Sequence, residues 1–307
     1  MANRGIMRKF IISDIHGFGN VYYGIISYLD NVSREDSIEL YINGDLIDRG
    51  FESTEILLDI IKRINNNKYR IIYLGGNHEL MMYEFFNDLK KNRANYYNTW
   101  YENGGIITDN GLQEKLSDDE ILNVVNYISN LKIYHKFKEK INKKNIVLVH
   151  AACPKIIKNK CNISIKKDNN LVYNSVWTRE FDLFSPYKVP VGNDKYFTII
   201  GHTPNNDSYG YIYYPQGNYL NIDGGCAGYV LGHFEYNHFP LVEVCDDYLK
   251  ILTFNSNNEI IYGNYFDGNK SVPYSFLELE SSRKYLDNNV KIKKLSINED
   301  GICGYWN

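Results

Sequence analysis

Five short polar motifs, each directly after an apolar run, hold most of the side chains in this sequence that could do chemistry. They are Ser13-Asp14-Ile15-His16-Gly17, Gly44-Asp45-Leu46-Ile47-Asp48-Arg49-Gly50, Gly76-Asn77-His78-Glu79, His150-Ala151-Ala152 and Gly201-His202-Thr203. Asp14 and His16 stand two residues apart, so an extended segment turns a carboxylate oxygen and an imidazole nitrogen to the same side. Asp45 has two oxygens and can bridge two cations at the ~3.5–4 Å spacing of binuclear centres. Asn77 adds an amide oxygen, and His150 and His202 add imidazoles. Asp14, His16, Asp45, Asn77, His150 and His202 therefore form a candidate ligand set for two metal ions. Carboxylate, amide and imidazole without thiolate suit Mn, Fe or Zn better than Ca. Each residue alone has an ordinary alternative: an Asp at a strand end is commonly a turn or a helix cap, and a single His there is commonly a hydrogen-bonded structural residue. Five such placements in order argue for one shared site, because four of only seven histidines fall inside them. His135, His233 and His238 are left with structural or surface roles.

The preceding elements must fix these positions. Lys9–Ile12, Ser37–Ile42 and Arg70–Leu74 are apolar strand candidates. Val21–Leu29 and Phe51–Ile64 carry apolar residues at helical spacing, the second with Ile56, Leu57, Ile60, Ile61 and Ile64 on one face. This βαβαβ alternation predicts an α/β chain with parallel strands under helical cover. Sites in such sheets gather in loops leaving the carboxyl ends of strands, where Asp14, Asp45 and Asn77 stand. Ile146–Val149 and Thr198–Ile200 place His150 and His202 at similar ends. Residues 79–130 read as a helical insertion, with Leu80–Leu89 and Asp118–Ile128 its clearest helices and Ser117 to Glu120 a capping box. Between them, Trp100, Gly104, Gly105 and Thr108 mark a turn whose aromatics are either a substrate wall or ordinary packing. Further strands are expected at Ile133–Phe137, Asn145–Val149, Tyr196–Ile200, Tyr209–Tyr214, Tyr219–Ile222, Leu241–Val244 and Leu249–Phe254. The Lys-rich stretch from Pro154 to Asn174 reads as a loop. No repeat or linker divides the chain, so one catalytic domain over 1–266 is expected, with 267–307 as a C-terminal extension packed on its core.

Bulk composition bounds the possibilities. The 307 residues are 44% hydrophobic, ample for a large core, and the formal net charge is -3. That balance disfavours a chain built to grip a nucleic-acid backbone, though it leaves a local basic patch open. Cys153, Cys161, Cys226, Cys245 and Cys303 form no C-x-x-C pair, so neither a zinc knuckle nor a thioredoxin-type site is suggested, and the scattered set fits a reducing compartment. No apolar run approaches the ~20 residues that span a bilayer, and the first residues lack a signal-peptide core. The expectation is a cytoplasmic protein with no membrane partner.

The motifs resemble those of the calcineurin-like metallophosphoesterases, specifically the phosphoprotein phosphatase branch with its bacterial-type serine/threonine protein phosphatases. The family pattern runs Gly-Asp-x-His-Gly, Gly-Asp-x-Val-Asp-Arg-Gly, Gly-Asn-His-Glu, His-Gly/Ala-Gly and Gly-His-Thr. The resemblance spans residues 8–262, and Gly44–Gly50 is its most specific part. It implies a sandwich of two mixed β-sheets flanked by helices, with metals at the strand ends. It further implies that Asp14, His16 and Asp45 hold one metal and that Asp45, Asn77, His150 and His202 hold the other, Mn being the first choice and Fe/Zn mixtures the alternative. Such a pair would lower the pKa of a bridging water, giving a hydroxide for in-line attack on phosphorus. Arg49 would clamp two phosphate oxygens with its guanidinium fork. Arg179, in Trp177-Thr178-Arg179, resembles the family's second phosphate-binding arginine. His78 would protonate the leaving group, with Asp48 orienting its ring and favouring imidazolium.

Some positions depart from the pattern. Ser13 replaces the usual Gly, and His150-Ala151-Ala152 lacks the final Gly. Asn221-Ile222-Asp223-Gly224-Gly225 resembles the family's Asp-Thr-Gly segment, which gives Asp223 a structural role near the site. The Trp100 to Thr108 pattern resembles bacterial members in which it lines the substrate side. Three functions compete. The first is hydrolysis of phosphomonoesters, foremost phosphoserine and phosphothreonine in proteins. The second is hydrolysis of diadenosine tetraphosphate, cyclic nucleotides or RNA ends on the same scaffold. The third is an inactive binding module, which the complete ligand set argues against. Diadenosine tetraphosphate hydrolases typically carry Ala where Asp48 stands. Their leaving group is already good, whereas a serine alkoxide needs an acid, so Asp48 favours monoesters.

Overall fold

The computed structural model describes residues 7–66, 68–90, 99–167, 170–179, 191–205, 207–226 and 238–286. His233, Cys303 and the stretch 287–307 of the expected extension lie outside them.

Along the first third, strands β1 (Met7–Ile12), β2 (Ser37–Asn43) and β3 (Arg70–Leu74) alternate with helices α1 (Gly19–Val32) and α2 (Ser53–Asn66). β1 pairs with β2, and β2 with β3, in parallel. Helices α3 (Asn77–Lys90), α4 (Thr99–Glu102), α5 (Gly105–Lys115) and α6 (Asp118–Ser129) form the insertion. β4 (Tyr134–Ile141) and β5 (Lys144–Val149) lead to α7 (Asn170–Trp177) and then to β6 (Phe197–Ile200), β7 (Ile212–Tyr214) and β8 (Tyr219–Asn221). β9 (Phe239–Val244), β10 (Leu249–Phe254), β11 (Ile260–Phe266), β12 (Ser271–Pro273) and α8 (Phe276–Arg283) close the described chain.

Among the described residues two mixed sheets result. One has seven strands in the order β12-β11-β10-β9-β1-β2-β3, and the other five, β4-β5-β6-β8-β7. Period-2 alternation sorts the side chains between two cores. Ile11, Tyr41, Leu148, Ile199, Val242 and Ile251 fill the space between the sheets. Phe10, Ile12, Leu40 and Ile42, their neighbours on β1 and β2, face α1 and α2 instead. β1, β2 and β3 run parallel, as do β5, β6 and β8, so their carboxyl ends collect at one rim. Asp14, Asp45, Asn77, His150, His202 and Asp223 all follow directly from those ends.

Several elements differ from the sequence-based expectation. β11, β12 and α8 are not among the expected elements, α4 and α5 fall between the two helices given bounds in the expected helical insertion, and α7 occupies the last part of the expected Lys-rich loop. The strand expected at Tyr209–Tyr214 begins only at Ile212, and the one expected at Ile133–Phe137 runs on to Ile141. Past residue 266 the seven-stranded sheet continues through β12, and the Tyr285 carbonyl accepts Asn31 Nδ2–H at 2.8 Å on α1. Among the described residues no helix is long and apolar enough to cross a membrane.

Candidate metal centre

The rim loops are bound to one another before any ligand is considered. Asp14 N–H donates to Gly44 O (3.2 Å), His16 N–H to Asp45 O (2.9 Å), Gly17 N–H to Leu46 O (3.0 Å) and Gly201 N–H to His150 O (2.9 Å). Asp14, His16, Asp45, Asp48, Arg49 and His202 all adopt positive φ, between 49° and 73°. Such backbone costs of order 1–3 kcal/mol per residue and persists only where neighbours over-determine it. At Gly76 and Gly201 closeness rather than φ calls for glycine. A Cβ on Gly76 would lie 2.2 Å from Asp45 Oδ1, and one on Gly201 would lie 2.0 Å from Asp14 Oδ2.

Asp45 is the hub. Its Oδ2 lies 3.3 Å from His150 Nε2, 3.6 Å from His16 Nε2 and 3.9 Å from His78 Nε2. Two groupings of potential ligand atoms share it: His16, Asp45 and His78 on one side, and Asp45, His150 and His202 on the other. Asn77 Oδ1 is 3.1 Å from His150 Nε2. Asp14 stands outside both groupings, yet its Oδ1 accepts the His202 N–H at 3.0 Å, and Ser13 Oγ donates to its Oδ2. All six expected ligands are buried in one cluster.

The imidazoles are pre-oriented. His16 Nδ1 faces Ile47 O at 3.1 Å, His150 Nδ1 faces Asn43 O at 2.7 Å, and His202 Nε2 faces Trp177 O at 3.0 Å. A ring nitrogen that donates to a carbonyl leaves its partner nitrogen as a lone-pair donor, the usual arrangement of a metal-binding histidine. His202 Nδ1 is buried without a hydrogen-bond partner among the described residues.

Electrostatics point the same way. Burial, with Asp223 and Asp45 adding to it, pushes the Asp14 carboxyl well up, against the pull of His150. Burial also raises Asp223, to about 6. Burial opposes ionisation of Asp45 too, but the His150, His78 and His16 rings outweigh it and hold that carboxyl well below its usual range. Burial pulls His150 down, but Asp45 and Asp14 prevail and lift it to about 10. Burial, with Arg49 and His78 beside His16 and with His150 and Arg179 beside His202, depresses both of those rings. The enclosed Asp14 and Asp223 carboxyls thus resist ionising beside the charged Asp45, a mutual penalty that divalent cations would relieve. Donor types, orphaned ring nitrogen and charge all fit two such ions.

Next to this cluster, His78 Nδ1–H donates to Asp48 Oδ2 at 2.7 Å, with both side chains fully buried. His78 Nε2 has no hydrogen-bond partner among the described residues and turns toward Asp45. Arg49 joins the cluster, with Nη1 3.3 Å from His16 Nε2. Arg179 is exposed at the rim, where its Nη2–H donates to His202 O at 3.2 Å. Asp223 is buried beside Asp14, and its Oδ1 accepts Gly225 N–H at 2.9 Å.

Two contributions are not expected from the sequence. Glu79 is fully buried and accepts from the N–H groups of Asp45 (2.9 Å), Leu46 (3.0 Å) and Gly76 (2.8 Å) and from Tyr73 OH (2.6 Å), so it ties the second and third motif loops together. Its place directly after Asn77-His78 was the available signal. The second is a correction. Trp100 and Thr108 do not line a substrate wall: they are 1% and 0% exposed, and both hydrogen-bond Asp48.

Among solved structures, the chain is similar to a protein serine/threonine phosphatase from Saccharomyces cerevisiae, with 15% identity, a TM-score of 0.50 and coverage of 81% of this chain and 80% of that one. It is also similar to a cold-active protein tyrosine phosphatase (14% identity, TM-score 0.49, 83% and 78% covered) and to a candidate diadenosine tetraphosphatase (15% identity, TM-score 0.48, 83% and 95% covered). At that identity the likeness to the yeast phosphatase speaks to the fold alone. None of the curated proteins is matched. The calcineurin-like phosphoesterase family matches residues 7–234, a span that contains all five motifs and every candidate ligand, and the chain belongs to that family.

Proposed function

We propose that this protein is a metal-dependent phosphatase of phosphomonoesters, foremost phosphoserine and phosphothreonine in proteins. One observation carries the choice of substrate class: the buried hydrogen bond between Asp48 and His78, which leaves His78 Nε2 directed at the centre without a partner among the described residues. A leaving alkoxide is a strong base and departs only with a proton. A histidine held by a carboxylate at one nitrogen is built to deliver one from the other.

Asp14, His16 and Asp45 would hold one ion, and Asp45, Asn77, His150 and His202 the other, as the family resemblance implies. When bound, a divalent pair supplies the charge that activates water and offsets the phosphoryl oxygens. The chain's own groups do the rest. Arg49, at the inner edge, and Arg179, at the rim, bracket the phosphoryl oxygens and align the ester for in-line displacement. His78 Nε2 gives its proton to the ester oxygen, while Asp48 keeps Nδ1 occupied so that the ring cannot turn. Glu79 keeps the Asp45 loop from moving under the charge change.

The test is a Mn-reconstituted panel of phosphoserine and phosphotyrosine peptides, diadenosine tetraphosphate and 2′,3′-cyclic nucleotides. The proposal expects the highest kcat/KM on a phosphopeptide. A strong preference for the dinucleotide or the cyclic diesters would overturn it.

A further inference from the structure

The α4–α5 corner lies outside every motif, yet it reaches the two residues on which the proposed chemistry turns. Trp100 Nε1–H donates to Asp48 Oδ2 at 2.7 Å, the same oxygen that receives His78 Nδ1–H. Thr108 Oγ1–H donates to the other oxygen, Oδ1, at 2.6 Å, and the same hydroxyl accepts the Asp48 N–H at 3.2 Å. Gly104 O accepts the Arg49 N–H at 3.2 Å. Asp48 and Arg49 are consecutive non-glycine residues at φ 73° and 71°, a backbone that L residues avoid. The corner therefore supplies the partner of both strained peptide N–H groups and occupies both oxygens of the Asp48 carboxylate. It is itself braced: Thr54 Oγ1–H donates to Thr108 O at 3.0 Å, and Phe85 and Phe86 pack on the Trp100 ring at 5.3 and 5.9 Å.

We infer that Trp100 and Thr108 are positioning residues for the proton-donating pair: they lock the rotation of the Asp48 carboxylate, and so fix where His78 Nε2 points, while Gly104 seats Arg49. The inference rests on the phosphomonoesterase reading. Without Trp100 Nε1–H the oxygen that holds His78 loses its second donor, and without Thr108 Oγ1–H the other oxygen is freed; either way the carboxylate can turn and His78 loses its fixed aim. That loss matters for a leaving group that needs a proton and little for one that leaves as a stable phenolate.

The experiment compares kcat of the Mn-loaded protein on a phosphoserine peptide and on 4-nitrophenyl phosphate for wild type, Asp48→Asn, Trp100→Phe, Thr108→Val and Thr108→Ser. Losing one charge-assisted hydrogen bond predicts a fall of about 10-fold on the peptide for Trp100→Phe and Thr108→Val. The fall on the nitrophenyl ester should be several times smaller, and Thr108→Ser should recover the wild-type ratio. Trp100→Phe keeps an aromatic ring against Phe85 and Phe86, so it carries the comparison if Thr108→Val fails to fold. Equal losses on both substrates would make the corner merely structural and overturn the inference. A wild-type ratio in Trp100→Phe and Thr108→Val, with Asp48→Asn still discriminating, would also overturn it while leaving the general acid in place. An Asp48→Asn variant that does not discriminate would remove the general acid and the inference with it.

Discussion

Replacing Asp45 with Asn is the most demanding test of the centre, because Asp45 alone belongs to both groupings of potential ligands. Asparagine matches it in shape and keeps an oxygen to accept His78 N–H, now 3.1 Å from Oδ1, so the loop should stay folded. What disappears is the second anionic oxygen, the atom within 3.3 to 3.9 Å of His150, His16 and His78. A ligand that binds only the native state stabilises it by about 2.7 kcal/mol at a hundred times its Kd. For a domain of this size, each kcal/mol moves Tm by roughly 2–4 °C. Each ion should therefore raise Tm by roughly 5–10 °C, and the wild-type protein with both should gain roughly 10–20 °C over its chelated form. His202→Asn removes a ligand from one grouping only, so it should keep one ion and about half the shift. Asp45→Asn should keep neither ion tightly and show almost no shift. Metal content after gel filtration and thermal melts with and without Mn read both quantities without relying on turnover. Two ions retained by Asp45→Asn together with wild-type hydrolysis would refute the assignment of Asp45 as the bridge.

Further expectations rest on other parts of the molecule. His78→Asn should lower kcat on a phosphoserine peptide by about 10²–10⁴, the usual worth of a general acid, and lower 4-nitrophenyl phosphate turnover far less; equal losses would refute the role. Glu79→Ala orphans three backbone N–H groups and Tyr73 OH in a fully buried place, so urea unfolding should show a loss of about 4 kcal/mol or more; a loss below about 1 kcal/mol would refute its role as a loop tie. Burial lowers the His135 pKa to about 4; Glu39 and Glu139 pull it up, and Arg70 and Lys9 push it down. Both states are neutral above pH 6.5, so stability is full there. Below it the unfolded chain takes up the proton first, and stability falls until the folded ring titrates near pH 4. The loss is at most about 3 kcal/mol, and less because the ring is only partly enclosed. His135→Gln should flatten that part of the stability–pH curve relative to wild type, and parallel curves would refute the shift.

The parts of the fold that the sequence announces are those whose elements bury one regular face. β1, β2 and β3 are short apolar runs, and α2 shows its buried Ile56, Leu57 and Ile60 at helical spacing. β11 breaks its own alternation with Gly263 and Asn264. The glycine is there because the Tyr274 ring lies 2.4 Å from where a Cβ would stand. α8 has no buried residue and therefore no amphipathic stripe, but its capping box from Ser275 to Glu278 was as legible as the one at Ser117 that opens α6. α7 buries Val172, Ser175 and Val176 at helical spacing, but the Lys-rich approach to it has the polar composition of a loop.

The site divides along a similar line. The candidate ligand positions are legible because a parallel strand's carboxyl end is a fixed place in the fold, so a polar residue one to three positions beyond it can be located without knowing the rest. The groups that hold Asp48 still are not, since their partners lie far away in the chain. Trp100 is 52 residues from Asp48, and Thr108 is 60. A Trp before a Gly-Gly turn has no local spacing that distinguishes a ring facing solvent from an indole N–H aimed inward. Burial decides between them. An indole N–H sealed from water must find an acceptor, and in this fold the acceptor within reach is the carboxylate that holds His78. The insertion thus serves the chemistry from beneath, by limiting how Asp48 can move. Substrate selection should be sought instead on the open side of the centre, where Arg179 is exposed and Tyr173 stacks on Trp177 at 6.0 Å.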